Sequence, residues 1–102
     1  MQEQTEDVMH WTDLREWVSE SFDDGAEDAA TIKVALVLGL DKAVDILAAG
    51  VLDVIDLHSV AVRRIEWETD PIKIAKIAEI VLGVVVSVPD DDGNVTVTDT
   101  TD

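Results

Sequence analysis

The negative charge of this chain is pushed to its two ends. Residues 1–28 hold ten acids against Arg15 alone, and residues 90–102 hold five acids and no base. Residues 29–89 hold eight acids against six bases. The three segments carry −9, −5 and −2, which together make the net −16 of the 102-residue chain. The middle is also very apolar: 37 of its residues are aliphatic or aromatic, about 60%, where ~45–50% is usual. Such a chain must build a core from its middle while two mutually repelling acidic ends stay in water. A disordered acidic chain lacks the aliphatic residues to do this, and this one has them. The length argues for a single domain over 1–102, with an acidic N-terminal helix in 1–28, an apolar core region in 29–89 and an acidic turn and tail in 90–102.

The same composition removes several functions. Phosphate binding needs clustered Lys and Arg, so nucleic acid is not an expected partner. There is no Cys, which removes disulfides, thiolate metal sites and Cys nucleophiles, and two His residues do not make a His-rich metal site. No basic segment followed by an apolar run opens the sequence, so a cytoplasmic or virion location is expected rather than secretion. The longest apolar runs, Val34–Leu40 and Ile80–Val88, fall far short of the ~18 residues of a membrane span. The excess of Asp over Lys, with Val and Ala abundant, resembles the proteins of extreme halophiles, the haloarchaea and their viruses. That resemblance covers the whole chain, is compositional, and names no family.

Periodicity sets the expected elements. Val8, Trp11, Leu14, Val18 and Phe22 recur at helical spacing, predicting a helix over 5–23 with Thr5 as its cap and Asp24-Gly25 as its stop. Trp17 lies off that stripe. A second helix is predicted over 28–57, with Asp41, Lys42, Asp45, Asp53 and Asp56 in one polar sector and a wide apolar face. Gly39 and Gly50 weaken it, each marking a kink, a close contact or a break. Val60, Val62, Ile65 and Trp67 alternate with polar residues apart from a phase shift at Arg63-Arg64, predicting a strand over 58–69; a continuation of the preceding helix is the alternative. Asp70-Pro71 announces a third helix to about Leu82, stopped by Gly83. Val84–Val88 and Val95–Thr98 flank a polar loop and predict a hairpin, with the chain fraying from Asp99 on. The fold class read from this order is α+β, α–α–β–α–β–β, with a C-terminal β-hairpin. The rival is an all-α bundle of two long apolar helices, 28–66 and 71–88.

No catalytic constellation emerges. On a strand, His58 and Ser59 point to opposite faces and cannot act as base and nucleophile for each other. Asp41, Asp45, Asp53 and Asp56 span several helical turns, too far to share one hard cation. Around Gly93 an EF-hand would need ligands at Val88 and Asp99 in its first and twelfth positions, so Asp90–Asn94 reads as an acidic turn. Gly39-Leu40-Asp41-Lys42 lacks P-loop spacing. Arg63-Arg64 is too small for a nucleic-acid patch. No enzyme activity, cofactor or metal is therefore expected.

The apolar excess is the sharper clue. A small domain buries only about 60–65% of its unfolded surface, and large exposed patches usually mark interfaces. The expected function is a structural or assembly subunit, a homo-oligomer or part of a larger complex, of virion or connector type in a halophilic system. Its candidate interface is Leu36, Val37, Leu40 and Val44, with Trp17. The alternative is a membrane-associated protein with an apolar helical hairpin, against which the charged Asp stripe counts.

Self-repulsion at −16 is screened in concentrated salt, where the Debye length falls to ~3 Å at 1 M. The melting temperature should rise strongly between dilute buffer and molar KCl. A Tm that stays level across that range, followed by circular dichroism, would remove the halophilic reading.

Overall fold

The computed structural model describes residues 5–99. Their order is β1 (Thr5–His10), α1 (Trp11–Asp23), α2 (Asp28–Val37), α3 (Asp41–Ala48), α4 (Val54–Trp67), α5 (Pro71–Leu82), β2 (Val84–Val86) and β3 (Asn94–Asp99). A three-stranded antiparallel sheet of order β1-β3-β2 packs chiefly on α1 and α5, and α2, α3 and α4 pack on those helices and on one another. The fold is α+β with a C-terminal β-hairpin. Val86 faces Val97 across the hairpin, and Asp99, placed beyond the strand by sequence, closes β3 opposite both Thr5 and Val84. The tail from residue 100 on lies outside the described residues.

Three elements differ from the sequence reading. The first six described residues form β1 rather than the start of a helix. β3 buries Val95 and Val97 against the helices, and β2 is too short to flank it fully. β1 supplies the other flank, pairing from Thr5↔Asp99 to His10↔Asn94 and placing Met9 opposite Val95. Thr5 is thus not a helix cap. That role falls to His10, whose Nδ1 accepts from the Thr12 N–H. Val8, expected on the apolar stripe, is 71% exposed, whereas Leu14, Val18 and Phe22 are fully buried as the stripe requires.

The expected helix over 28–57 is cut twice. Gly39 and Gly50 both sit at positive φ, +80° and +78°. After α2, Gly39 N–H donates to Leu36 C=O and Leu40 N–H to Ala35 C=O; after α3, Gly50 N–H donates to Leu47 C=O and Val51 N–H to Ile46 C=O. This paired pattern is the Schellman motif, which satisfies the last carbonyls of a helix and needs a left-handed residue. Asp53 then caps α4 instead of joining a polar stripe.

The expected strand over 58–69 is part of α4. Leu57, Ala61 and Ile65, at intervals of four, are all fully buried and define the inward face. Of the residues whose alternation suggested a strand, Ile65 is the one that is fully buried: Val60 and Trp67 are exposed and Val62 is half-buried.

Helix α5 begins as the sequence requires. Asp70 Oδ1 accepts from the Ile72 N–H at 2.9 Å, with Pro71 in the first turn. Its Ile74, Ile77 and Ala78 join Leu14, Val18 and Phe22 of α1, Val34 and Leu38 of α2, and the sheet valines in one core. Between α4 and α5, Glu68 C=O accepts from Arg15 Nη1 at 2.7 Å, tying the turn to α1. The Arg15 guanidinium also lies 5.1 Å over the Trp11 ring.

Asp70→Ala should lower stability by about 0.5–2 kcal/mol through loss of the cap. A denaturation midpoint equal to wild type would mean that the cap carries no stability. Gly93 is the tighter test. It has φ +83°, and a Cβ there would meet His10 Nε2 at 2.8 Å and Trp11 Cδ1 at 3.0 Å, while one at Gly50 would meet open space. Gly93→Ala should therefore cost clearly more than Gly50→Ala, which carries only the left-handed penalty of about 1–2 kcal/mol. Equal losses in a denaturation series would mean that the contact with His10 and Trp11 is easily relaxed.

Candidate functional site

Helix α3 is the least covered element. It packs chiefly on α2 and α4, and none of its residues is fully buried. Val44 and Leu47 are half-buried, while Ile46 is exposed. The two glycine breaks put other apolar side chains beside it. Val51 and Leu52 N–H groups both reach the Ile46 carbonyl, at 3.2 and 3.4 Å, so the turn after α3 folds back over Ile46. Val51 is 80% exposed, Ile55 in the first turn of α4 is 69% exposed, and Leu36 near the end of α2 is 49% exposed. Leu36, Ile46 and Ile55 are thus exposed apolar residues on α2, α3 and α4, with Val51 exposed in the turn between α3 and α4. Asp41, Asp45, Asp53 and Asp56, all exposed, lie along the same segment.

Of the residues singled out by sequence, Leu36 is exposed on this segment. Val37 and Leu40 are half-buried and pack against the core, and Val44 is half-buried on α3. Trp17 is 38% exposed on α1, a separate element. Sequence reasoning missed Ile46, Val51 and Ile55. The signal was present: Gly39 and Gly50 are each followed within three residues by Asp, a helix stop and then a helix start. Reading two breaks rather than one continuous helix would have reset the phase of every later position.

A second exposed stripe runs along α4. Trp67 and Val60 are seven residues apart and share a face, with the exposed Arg63 and Arg64 between them. Trp and Arg are the residue types that most often anchor interfaces.

The polar groups have structural partners. His58 Nε2 bonds the Phe22 carbonyl at 2.6 Å, at the end of α1, and its ring stacks 4.5 Å from the Phe22 ring. Ser59 Oγ donates to the Ile55 carbonyl one turn earlier. Asp90 Oδ1 accepts from the N–H groups of Asp92 and Asn94, which fixes the acidic turn. A concave surface between α1 and the end of α4 is lined by Asp13, Glu16, Glu20 and Glu66 beside Arg15. Among the described residues, no group of three or more His, Asp or Glu side chains is placed to hold a metal ion. Nor, among them, is any helix long and apolar enough to cross a membrane.

No protein-family model matches the chain, and no curated protein or solved structure is significantly similar to it.

Proposed function

We propose that this protein is a non-enzymatic structural subunit that self-associates through the apolar surface of α2, α3 and α4 in concentrated salt. Helix α3 carries the reading. It has eight residues, well below the ~12–15 at which an isolated helix becomes even marginal in water, yet none of its side chains is fully buried. Covering Ile46, Val51, Ile55 and Leu36 with a second molecule would give α3 the burial it lacks. The neighbouring Asp41, Asp45, Asp53 and Asp56 oppose that contact in dilute buffer and are screened in molar salt. Size and charge suit a virion or connector component of a halophilic system.

The test is light scattering after size exclusion. A multimer mass is expected in molar KCl and a smaller species in dilute buffer. Ile46→Glu should return the molar-salt mass toward the monomer, because an unpaired charge buried at an interface costs several kcal/mol. Its circular dichroism should stay folded, since Ile46 is already exposed. A monomeric wild type in molar KCl removes the proposal. Flotation with liposomes would replace it with membrane association.

A further inference from the structure

The sheet has two free edges of different chemistry. β1 carries the exposed Glu6 and Asp7, and a charged edge resists pairing. At the other edge, Val84-Val85-Val86-Ser87-Val88 carries no charge. Ser87 N–H donates to Thr96 C=O at 3.0 Å. By the alternation of an antiparallel ladder, the N–H and C=O groups of Val84 and Val86 then point away from β3, toward the open side. Val88 is 82% exposed. A groove beside this edge, between it and α5, is lined by Ile72, Ala75, Lys76, Glu79, Val86 and Val88.

We infer that β2 pairs antiparallel with β2 of a second copy across a two-fold axis, joining the two sheets into one. A register centred on Val86 engages both outward-facing residues of β2 and extends the pairing to Val88, just past the strand's end. Val86 meets Val86 of the partner subunit, and Val84 meets Val88 of the partner subunit. Pro89, which has no N–H, ends the ladder. The two-fold keeps both α5 helices on one face and runs them antiparallel. Lys76 and Glu79 stand one turn apart in the groove that Val86 also lines, so each Lys76 faces Glu79 of the partner subunit, a reciprocal match typical of a two-fold interface. The segment 71–89 has two bases, Lys73 and Lys76, against one acid, Glu79. The edge strand itself therefore adds no acidic charge to the contact, although the flanking Asp90–Asp92 and the net −16 of each chain make molar salt necessary for it. This inference rests on the reading that the chain self-associates, but places a contact on a different surface from α2–α4.

The chain has no Cys, so an introduced thiol reports one position only. In the inferred register the two Val86 Cα atoms lie about 5.5 Å apart, within disulfide reach. Val86→Cys, oxidised in molar KCl, should form a covalent dimer at least about tenfold faster than Val8→Cys on β1, because pairing holds the thiols at high effective concentration. Amide exchange of the unmodified protein is the second measurement. The Val84 and Val86 amides should exchange slowly when assembled, and at least about tenfold faster in Val88→Lys. Equal cross-linking of the two Cys variants, or free exchange of those amides in the assembled protein, overturns the inference. If cross-linking at Val86 fails while Ile46→Glu still lowers the mass, β2 pairing falls and self-association through α2–α4 stands. A wild type that stays monomeric in molar KCl overturns both, and leaves the β2 edge to some other extended chain.

Discussion

The pairing of β1 with β3 is the contact on which the rest of the structure depends, and it is made against electrostatic repulsion. It lays the acidic start of the chain beside its acidic end. Asp7 faces Val97, which puts it diagonal to Asp99 on the same side of the sheet. Opposing this are the ladder itself, the burial of Met9 and Val95, and the junction where Trp11 N–H donates to Gly93 C=O at 2.9 Å. That junction fixes where α1 begins. Helix α1 then delivers Leu14, Val18 and Phe22 to the core and Arg15 to the α4–α5 turn.

What was legible in the sequence was local chemistry with a single outcome. Asp70-Pro71 specifies a helix start by a side-chain cap and a fixed φ, and neither depends on the rest of the fold. The valine runs around Pro89–Asn94 specify a hairpin for the same reason. The buried stripe of α1 was legible because three large apolar residues four apart have one common face. The residues 5–10 were not legible as a strand, because nothing in Thr5–His10 favours one strongly; β3 imposes it by needing a second flank. The alternation Val60, Val62, Ile65, Trp67 misled because α4 leaves Val60 and Trp67 exposed. The true core positions, Leu57, Ala61 and Ile65, follow the other period.

The candidate surface shows the same division. Apolar excess in the middle of the chain pointed to incomplete burial, and α3 is where coverage is thinnest. Which residues are left uncovered depended on two backbone conformations, at Gly39 and Gly50. A helical wheel drawn through both glycines carries a phase error past each break. Leu36, before the first break, was placed on an exposed face, while Ile46, Val51 and Ile55 beyond it went unnoticed. Val37 and Leu40 pack against the core because α2 and its closing turn fold onto α4 and α5, a tertiary outcome that no single-helix projection contains.

The run Val84-Val85-Val86-Ser87-Val88 has a further consequence before the chain is folded. It is short, β-branched, uncharged and free of Pro, the signature of a segment that stacks into cross-β aggregates when exposed. Pro89, Asp90, Asp91 and Asp92 follow it directly. A ring without an N–H and three like charges are poor neighbours in an in-register stack, where each would lie under its own copy. The acidic turn that shapes the hairpin in the native state is thus also placed as a gatekeeper in the nascent chain, and in molar salt, where charge is screened, the proline is the part of that safeguard that salt does not weaken.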